Sequence, residues 1–369
     1  MSATKSGVLS GLEVSTAFTA AEVVKVILSG NRGGDEDTLK ELNAVHKAFL
    51  DRQPFCLELL KPETFGQFLD LKIPTQGIFN QLVSEIAWWV LLDQIEEACF
   101  LQPEKLVIAR PFLVHLFEGE IAQKPYQPPK DWRYLPVSEA VERFRQIFGS
   151  SLKADSVLKH AKDTKPADSE GFLTALKLTT LAKLFGISGS PLEATEEGRV
   201  AYARIVELFV PKVGQEYVKA HSNKLVFANW LEGKLTSEHI VLTPAGRKTW
   251  QELESQSEDD FVIASADSGG LHAGYSQRKA RIAITASGKQ MPQDCIMTGS
   301  TLAIQPDRLC QAEHLRIDHP GNAYSPAAGG RFLCCVCWEF STDDRKLGFD
   351  FVSAVSAYQS FGSAVLLRP

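Results

Sequence analysis

The sequence predicts an α+β protein: a helical N-terminal region, a mainly helical centre and an antiparallel β-rich C-terminal domain. Three observations predict it. Apolar residues recur at helical spacing through Phe79, Leu82, Val83, Ile86 and Val90. Two Thr-capped amphipathic segments stand close together in the centre. Beyond residue 257, short apolar runs alternate with Gly- and Ser-rich turns. With 369 residues the chain exceeds one ordinary core, and breaks in pattern divide it into 1–165, 166–257 and 258–369.

In the first part, "TLKELNAVHKAFL" reads as a helix that breaks at Pro54, and "GIFNQLVSEIAWWVLLDQIEEACF" as a longer one. "KLVIARPFLVHLF" is a short β-rich run interrupted by Pro111. The four prolines of "QKPYQPPKDWRYLP", 124–136, force an extended strap or linker, because proline lacks the amide that a helix needs. "VSEAVERFRQIFG" is then an amphipathic helix, with Ser138 as its expected N-cap and Gly149 closing it. Polar "KHAKDTKPADSEG" marks the first boundary, and acidic "ELESQSEDD" the second.

In the last part, "RKARIAITAS", "GSTLAIQP", "GRFLCCVCWEF", "LGFDFVSAVSAY" and "GSAVLLRP" are expected strands. "RFLCCVCWEF" and "LGFDFVSAV", with "STDDRK" between them, form an expected hairpin.

The formal net charge of -6 excludes a chain that coats nucleic acid or anionic membrane by bulk electrostatics. The most apolar run, Ile86 to Leu92, falls far short of the roughly 20 residues that span a bilayer, and no basic leader precedes an apolar core. A soluble, cytoplasmic protein without a membrane partner is expected. Its seven cysteines, Cys56, Cys99, Cys295, Cys310, Cys334, Cys335 and Cys337, are then expected to be reduced.

The centre holds two related segments, "LEATEEGRVAYARI" and "IVLTPAGRKTWQEL". Superposing Thr195 on Thr243 brings Gly198 onto Gly246 and Arg199 onto Arg247. Each threonine hydroxyl is placed to cap a helix, and Pro244 suits a first helical position. The second segment, with "LTTLAKLFGIS" before it, resembles the wing-to-helix junction and first helix of winged helix-turn-helix domains, over about residues 172–253. That resemblance implies a winged-helix-like centre used for protein contacts or for nucleic acid. Glu193, Glu196 and Glu197 would repel phosphate in the first copy, which leaves Arg247 and Lys248 as the nucleic-acid-binding candidates there. Arg278, Lys279 and Arg281 add a second basic group. If their segment is a strand, alternation puts Lys279 and Arg281 on one face.

Candidate chemistry lies in the last part. On a strand, Cys335 and Cys337 share a face, and with Cys295, Cys310, His314 or His319 they are candidate zinc ligands; core packing is the competing use of such cysteines. "SADSGGLH" offers Asp267 and His272. Its D-S-G-G string resembles the nucleophile loop of chymotrypsin-like proteases, although the chain order of the other triad members is wrong for that family. "EHLRIDHPGNAYSPAAGGRF" gathers His314, Asp318 and His319, residue types suited to acid-base or metal chemistry, in one loop. The chain has no P-loop, dinucleotide fingerprint or H-E-x-x-H helix. A non-enzymatic interaction or adaptor subunit with a protein partner, contacting nucleic acid through these basic residues, is therefore expected. The rival expectation is an enzyme or metal-binding protein whose site lies in the C-terminal domain.

Overall fold

A computed structural model describes residues 121–369, apart from 168–169, 223, 330–333, 342–344, 355–356 and 369. The helices expected before residue 120, with Cys56 and Cys99, lie outside the described residues. The strap at 124–136 lies within them and is pinned to the body: the Tyr126 amide donates to Gln359 O, and the Leu135 amide to Gln305 Oε1 at 2.9 Å. Its own Trp132 and Tyr134 are buried.

The elements follow in chain order. Helix α1 (Val137–Phe148) starts directly after Pro136, buries Val137, Ala140, Val141 and Phe144, and ends at Gly149. The expected Ser138 cap is not used, because Ser138 already lies inside the first turn. Helix α2 (Asp155–Asp163) leads to β1 (Phe172–Leu176), α3 (Leu178–Leu184), the long α4 (Glu196–Ala220), β2 (Val226–Asn229), β3 (Ile240–Leu242), α5 (Pro244–Ser255) and β4 (Phe261–Asp267). After them come α6 (Gln277–Ser287), β5 (Gln290–Pro292), α7 (Cys295–Ile304), β6 (Arg316–Asp318), β7 (Asn322–Tyr324), β8 (Cys334–Ser341), β9 (Lys346–Ser353), β10 (Phe361–Ser363) and β11 (Val365–Leu367). A mixed α+β architecture results.

Two sheets frame the helices. The smaller runs β1-β4-β11-β5 and is antiparallel throughout. In the larger, β8 pairs with β6, β7 and β9; β10 then lies parallel to β6, β3 antiparallel to β7, and β2 parallel to β9. The expected hairpin is present, with Cys334 opposite Ser353 and Ser341 opposite Lys346. Both sheets draw strands from either side of residue 257, and Leu173, Phe209, Trp250, Met297 and Trp338 belong to one buried cluster. The break in polarity at 257 therefore falls inside a shared core, and marks a surface loop between α5 and β4.

Two expected strands are helices instead. "RKARIAITAS" lies in α6, where Ser276 caps the Lys279 amide and Gly288 closes the helix in a left-handed conformation. Ala280 and Ile284, four residues apart, pack on Val365, so the apolar spacing is helical. "GSTLAIQP" overlaps α7, which is buried over its whole length and so carries no amphipathic period to separate it from a buried strand. Asp294 caps it through the Met297 amide. Gly299 lets α4 approach: a Cβ there would stand 2.9 Å from the Phe209 ring.

The paired segments have a steric explanation. Thr195 Oγ1 accepts from the Gly198 amide at 3.1 Å and Thr243 Oγ1 from the Gly246 amide at 2.8 Å, so both are N-caps. Each glycine also lies against a backbone carbonyl. An added Cβ would meet Glu193 O at 2.3 Å from Gly198, and Gly321 O at 2.5 Å from Gly246. Only the second copy follows a strand, β3; β3 pairs with β7, and β2 with β9, rather than with each other.

Candidate metal centre

Helix α4 ends at Ala220, and the His221 amide closes it by donating to Tyr217 O at 3.2 Å. The His221 side chain shares that acceptor: its Nδ1 lies 2.9 Å from Tyr217 O and donates to it, which turns Nε2 toward Asp307. Nε2 is shielded from solvent and makes no hydrogen bond, although Asp307 Oδ1 stands 3.3 Å away. The negative end of the helix dipole lies on the same side and favours a cation there.

Asp307 comes from a single 3-10 turn, Pro306–Leu309, that follows α7. Its neighbour Arg308 is fully buried and fixes the turn from inside, through Nε to Ser268 Oγ at 2.9 Å, one terminal nitrogen to Ser268 O at 2.8 Å and the other to Leu315 O at 3.0 Å. Leu309 O accepts from the Tyr217 hydroxyl at 2.8 Å. Cys310 follows, with its thiol 3.3 Å from Asp307 O. Burial pushes the thiol pKa up, and the Asp307 carboxylate adds to the shift.

The donor atoms of His221, Asp307 and Cys310 all lie within 4.8 Å of one another. Tetrahedral zinc, with bonds of about 2.0–2.3 Å, holds its donors roughly 3.3–3.9 Å apart. The exposed Asp307 carboxylate has room to close that difference. The three donors edge a cavity of about 590 Å³ whose walls include Lys224, Leu225, Glu313, Phe340 and Arg345. Tyr217 joins the halves of the centre: its carbonyl orients His221, its ring lies 4.5 Å from the imidazole, and its hydroxyl holds the turn that carries Asp307 and Cys310.

The residues expected from the sequence are dispersed. Of Cys295, Cys310, Cys335 and Cys337, only Cys310 joins a group of this kind among the described residues. Cys295 is enclosed beside Tyr202, 3.8 Å from its hydroxyl, and Cys335 and Cys337 are buried in β8. Burial pushes all three thiols far up, against the thiolate that a metal requires. These cysteines pack the core. His314 flanks the centre, with Nδ1 3.5 Å from the Cys310 amide.

Asp267 Oδ1 accepts from the Gly269 and Leu271 amides, and His272 Nε2 lies 2.8 Å from Gln290 Oε1. In the D-S-G-G string, Ser268 is held by Arg308 and by the Glu170 carboxylate on its amide. Asp318 accepts from the Ser363 hydroxyl, and burial raises its pKa to about 6. Burial lowers His319 to about 3, with Thr298 Oγ1 3.4 Å from its Nδ1.

The basic candidates differ in reach. Arg278 is fully buried, which removes it from any surface contact with phosphate. Lys279 Nζ lies 5.4 Å from the Tyr275 ring centre, and Arg281 donates to the carbonyls of Pro320 and Asn322. Helical geometry, not strand alternation, sets their directions. Arg247 is half-buried, its pKa lowered by burial and then by Arg199, while Lys248 is exposed.

Sequence reasoning missed His221 and Asp307. The one local signal was the four-residue spacing from Tyr217 to His221 at a helix end.

The described part of the chain is thus an α+β unit with a nitrogen, oxygen and sulfur donor set at the edge of a cavity. Compared with models of known families, with curated proteins and with solved structures, the chain has no match. Among the described residues no helix is long and apolar enough to cross a membrane.

Proposed function

We propose that the chain is a transition-metal-binding protein that holds a zinc-like ion at His221, Asp307 and Cys310. One observation carries the reading: His221 is fixed by its Nδ1 on the Tyr217 carbonyl, which leaves a shielded Nε2 beside Asp307 with no hydrogen bond of its own. Histidine that ligates a metal is oriented in this way. A thiolate in the set favours zinc over magnesium or calcium, which prefer oxygen alone. Three protein donors with a fourth position facing a cavity is the pattern of zinc sites that engage ligands, whereas purely structural sites close with four. An adaptor role remains compatible with such a pocket, but the geometry speaks more directly for metal.

Titration of the purified, chelator-treated full chain with zinc tests the proposal. One ion per chain is expected, with His221→Ala and Cys310→Ser each lowering affinity at least tenfold. Stoichiometric binding that survives both substitutions would place the ion elsewhere, and no binding at all would end the reading.

A further inference from the structure

The cavity is larger than a metal ion and its water require, and its lining includes two cations besides the three donors. Lys224 and Leu225 directly precede β2, and Arg345 directly precedes β9. Because β2 and β9 run parallel, with Val226 opposite Lys346, the starts of the two strands lie side by side. This pairing brings two cations from distant segments to one wall. Two backbone bonds hold them: the Lys224 amide donates to His221 O at 3.0 Å, and the Val226 amide to Arg345 O at 3.1 Å. Arg345 has a φ of +53°, a left-handed conformation that a non-glycine residue adopts only when its surroundings impose it. Both side chains are exposed, and among the described residues neither has an ion-pair partner.

Charge decides what such a wall takes. With a divalent ion bound, Asp307 and a Cys310 thiolate would balance its charge. Among the described lining residues Lys224 and Arg345 then outweigh Glu313. Leu225 and Phe340 contribute apolar surface to the same lining. At about 590 Å³ the cavity falls within the range of small-molecule sites.

Resting on the metal reading above, we propose that the cavity binds a small organic molecule with an oxyanion head and an apolar body. The head, a phosphate monoester or a carboxylate, lies between the metal and the Lys224 and Arg345 side chains; the body lies against Leu225 and Phe340. Arginine and lysine recognise such heads by charge-assisted hydrogen bonds, and a metal held by three protein donors would supply a further site for an oxygen.

Calorimetric titration of the zinc-loaded full chain with phenyl phosphate, benzoate and benzyl alcohol tests this. The same titrations are made on Lys224→Gln/Arg345→Asn, in which asparagine tolerates the left-handed backbone. Zinc titration of both proteins runs alongside. At least one of the two anions is expected to bind the wild type, about tenfold or more tighter than the variant. Benzyl alcohol should not bind, and zinc affinity should stay within about threefold between the proteins. Whether phenyl phosphate or benzoate binds tighter identifies the head group. Zinc binding with no anion binding, or with equal anion binding by both proteins, overturns this inference and leaves the metal reading standing. Failure to bind zinc overturns both.

Discussion

Tyr217→Phe separates positioning of the metal centre from packing. The substitution deletes one hydroxyl, which donates to Leu309 O at 2.8 Å. The ring, 4.5 Å from His221, and the backbone carbonyl that orients His221 Nδ1 both remain. Only the turn that carries Asp307 and Cys310 loses a tie, and the Arg308 bonds that also hold it remain. A buried neutral hydrogen bond contributes about 1 kcal/mol net, and the Leu309 carbonyl left without its donor adds a penalty of similar size. The metal-free chain should lose roughly 1–2 kcal/mol in urea denaturation. Losing an outer partner of a metal ligand costs about 10–100-fold in affinity, so zinc should bind at least tenfold more weakly in competition with a chromophoric chelator. Because a ligand in excess stabilises the native state by RT ln(1 + [L]/Kd), each tenfold loss removes about 1.4 kcal/mol of zinc-dependent stabilisation. If the variant is destabilised as expected but binds zinc within twofold of wild type, Tyr217 serves the core alone and the positioning argument fails.

Zinc affinity should rise with pH through the neutral range, because the Cys310 thiol, raised by burial and by Asp307, must give up its proton to bind. Below the thiol's pKa the slope should approach about tenfold per pH unit for that proton, and Cys310→Ser should flatten it. Asp318 has a folded pKa near 6, above the ordinary carboxylate value, so its contribution to stability is fully present below about pH 4 and is lost as pH rises through 6. The two-unit shift corresponds to roughly 3 kcal/mol. Asp318→Asn, which can still accept from Ser363, should abolish that part of the pH dependence in thermal unfolding; an unchanged profile would assign it to another group. Gly246→Ala should cost about 2 kcal/mol or more, since its Cβ would meet Gly321 O at 2.5 Å, whereas Thr243→Ala should cost about 0.5–2 kcal/mol by removing the cap. Equal, small losses in urea denaturation would mean that the backbone shifts freely at Gly321.

Legibility of the fold followed the range of the forces involved. The caps at Thr195 and Thr243 and the β8–β9 hairpin were readable because the partner of each group lies within a few residues in the chain. For α7 the sequence offered no period, since every face of that helix is buried; the Asp294 cap was the only local sign of a helix. In α6, alternation misled because the apolar pair Ala280 and Ile284 sits at helical spacing inside a run that also alternates. The acidic loop near 257 looked like a domain edge because it is polar, yet the polypeptide returns from it as β4 to pair with β1.

The centre itself depends on a meeting that no local pattern encodes. Cys310 was legible as a donor, but 92 residues separate Tyr217 from Leu309, and their bond brings the end of α4 to the turn after α7. Both ends are fixed by groups that serve other purposes first. The Tyr217 carbonyl closes the helix by accepting from the His221 amide, and Arg308 anchors the turn through the D-S-G-G loop. The core can therefore be conserved in energy while the donors change, because His221, Asp307 and Cys310 lie at its margin and none fills the space between α4 and α7. Conversely, a side-chain change at Tyr217 or Arg308 reaches the turn that carries Asp307 and Cys310 without touching either donor. Control of the site resides in the buried residues that aim it, and sequence reading that seeks only ligand types passes over them.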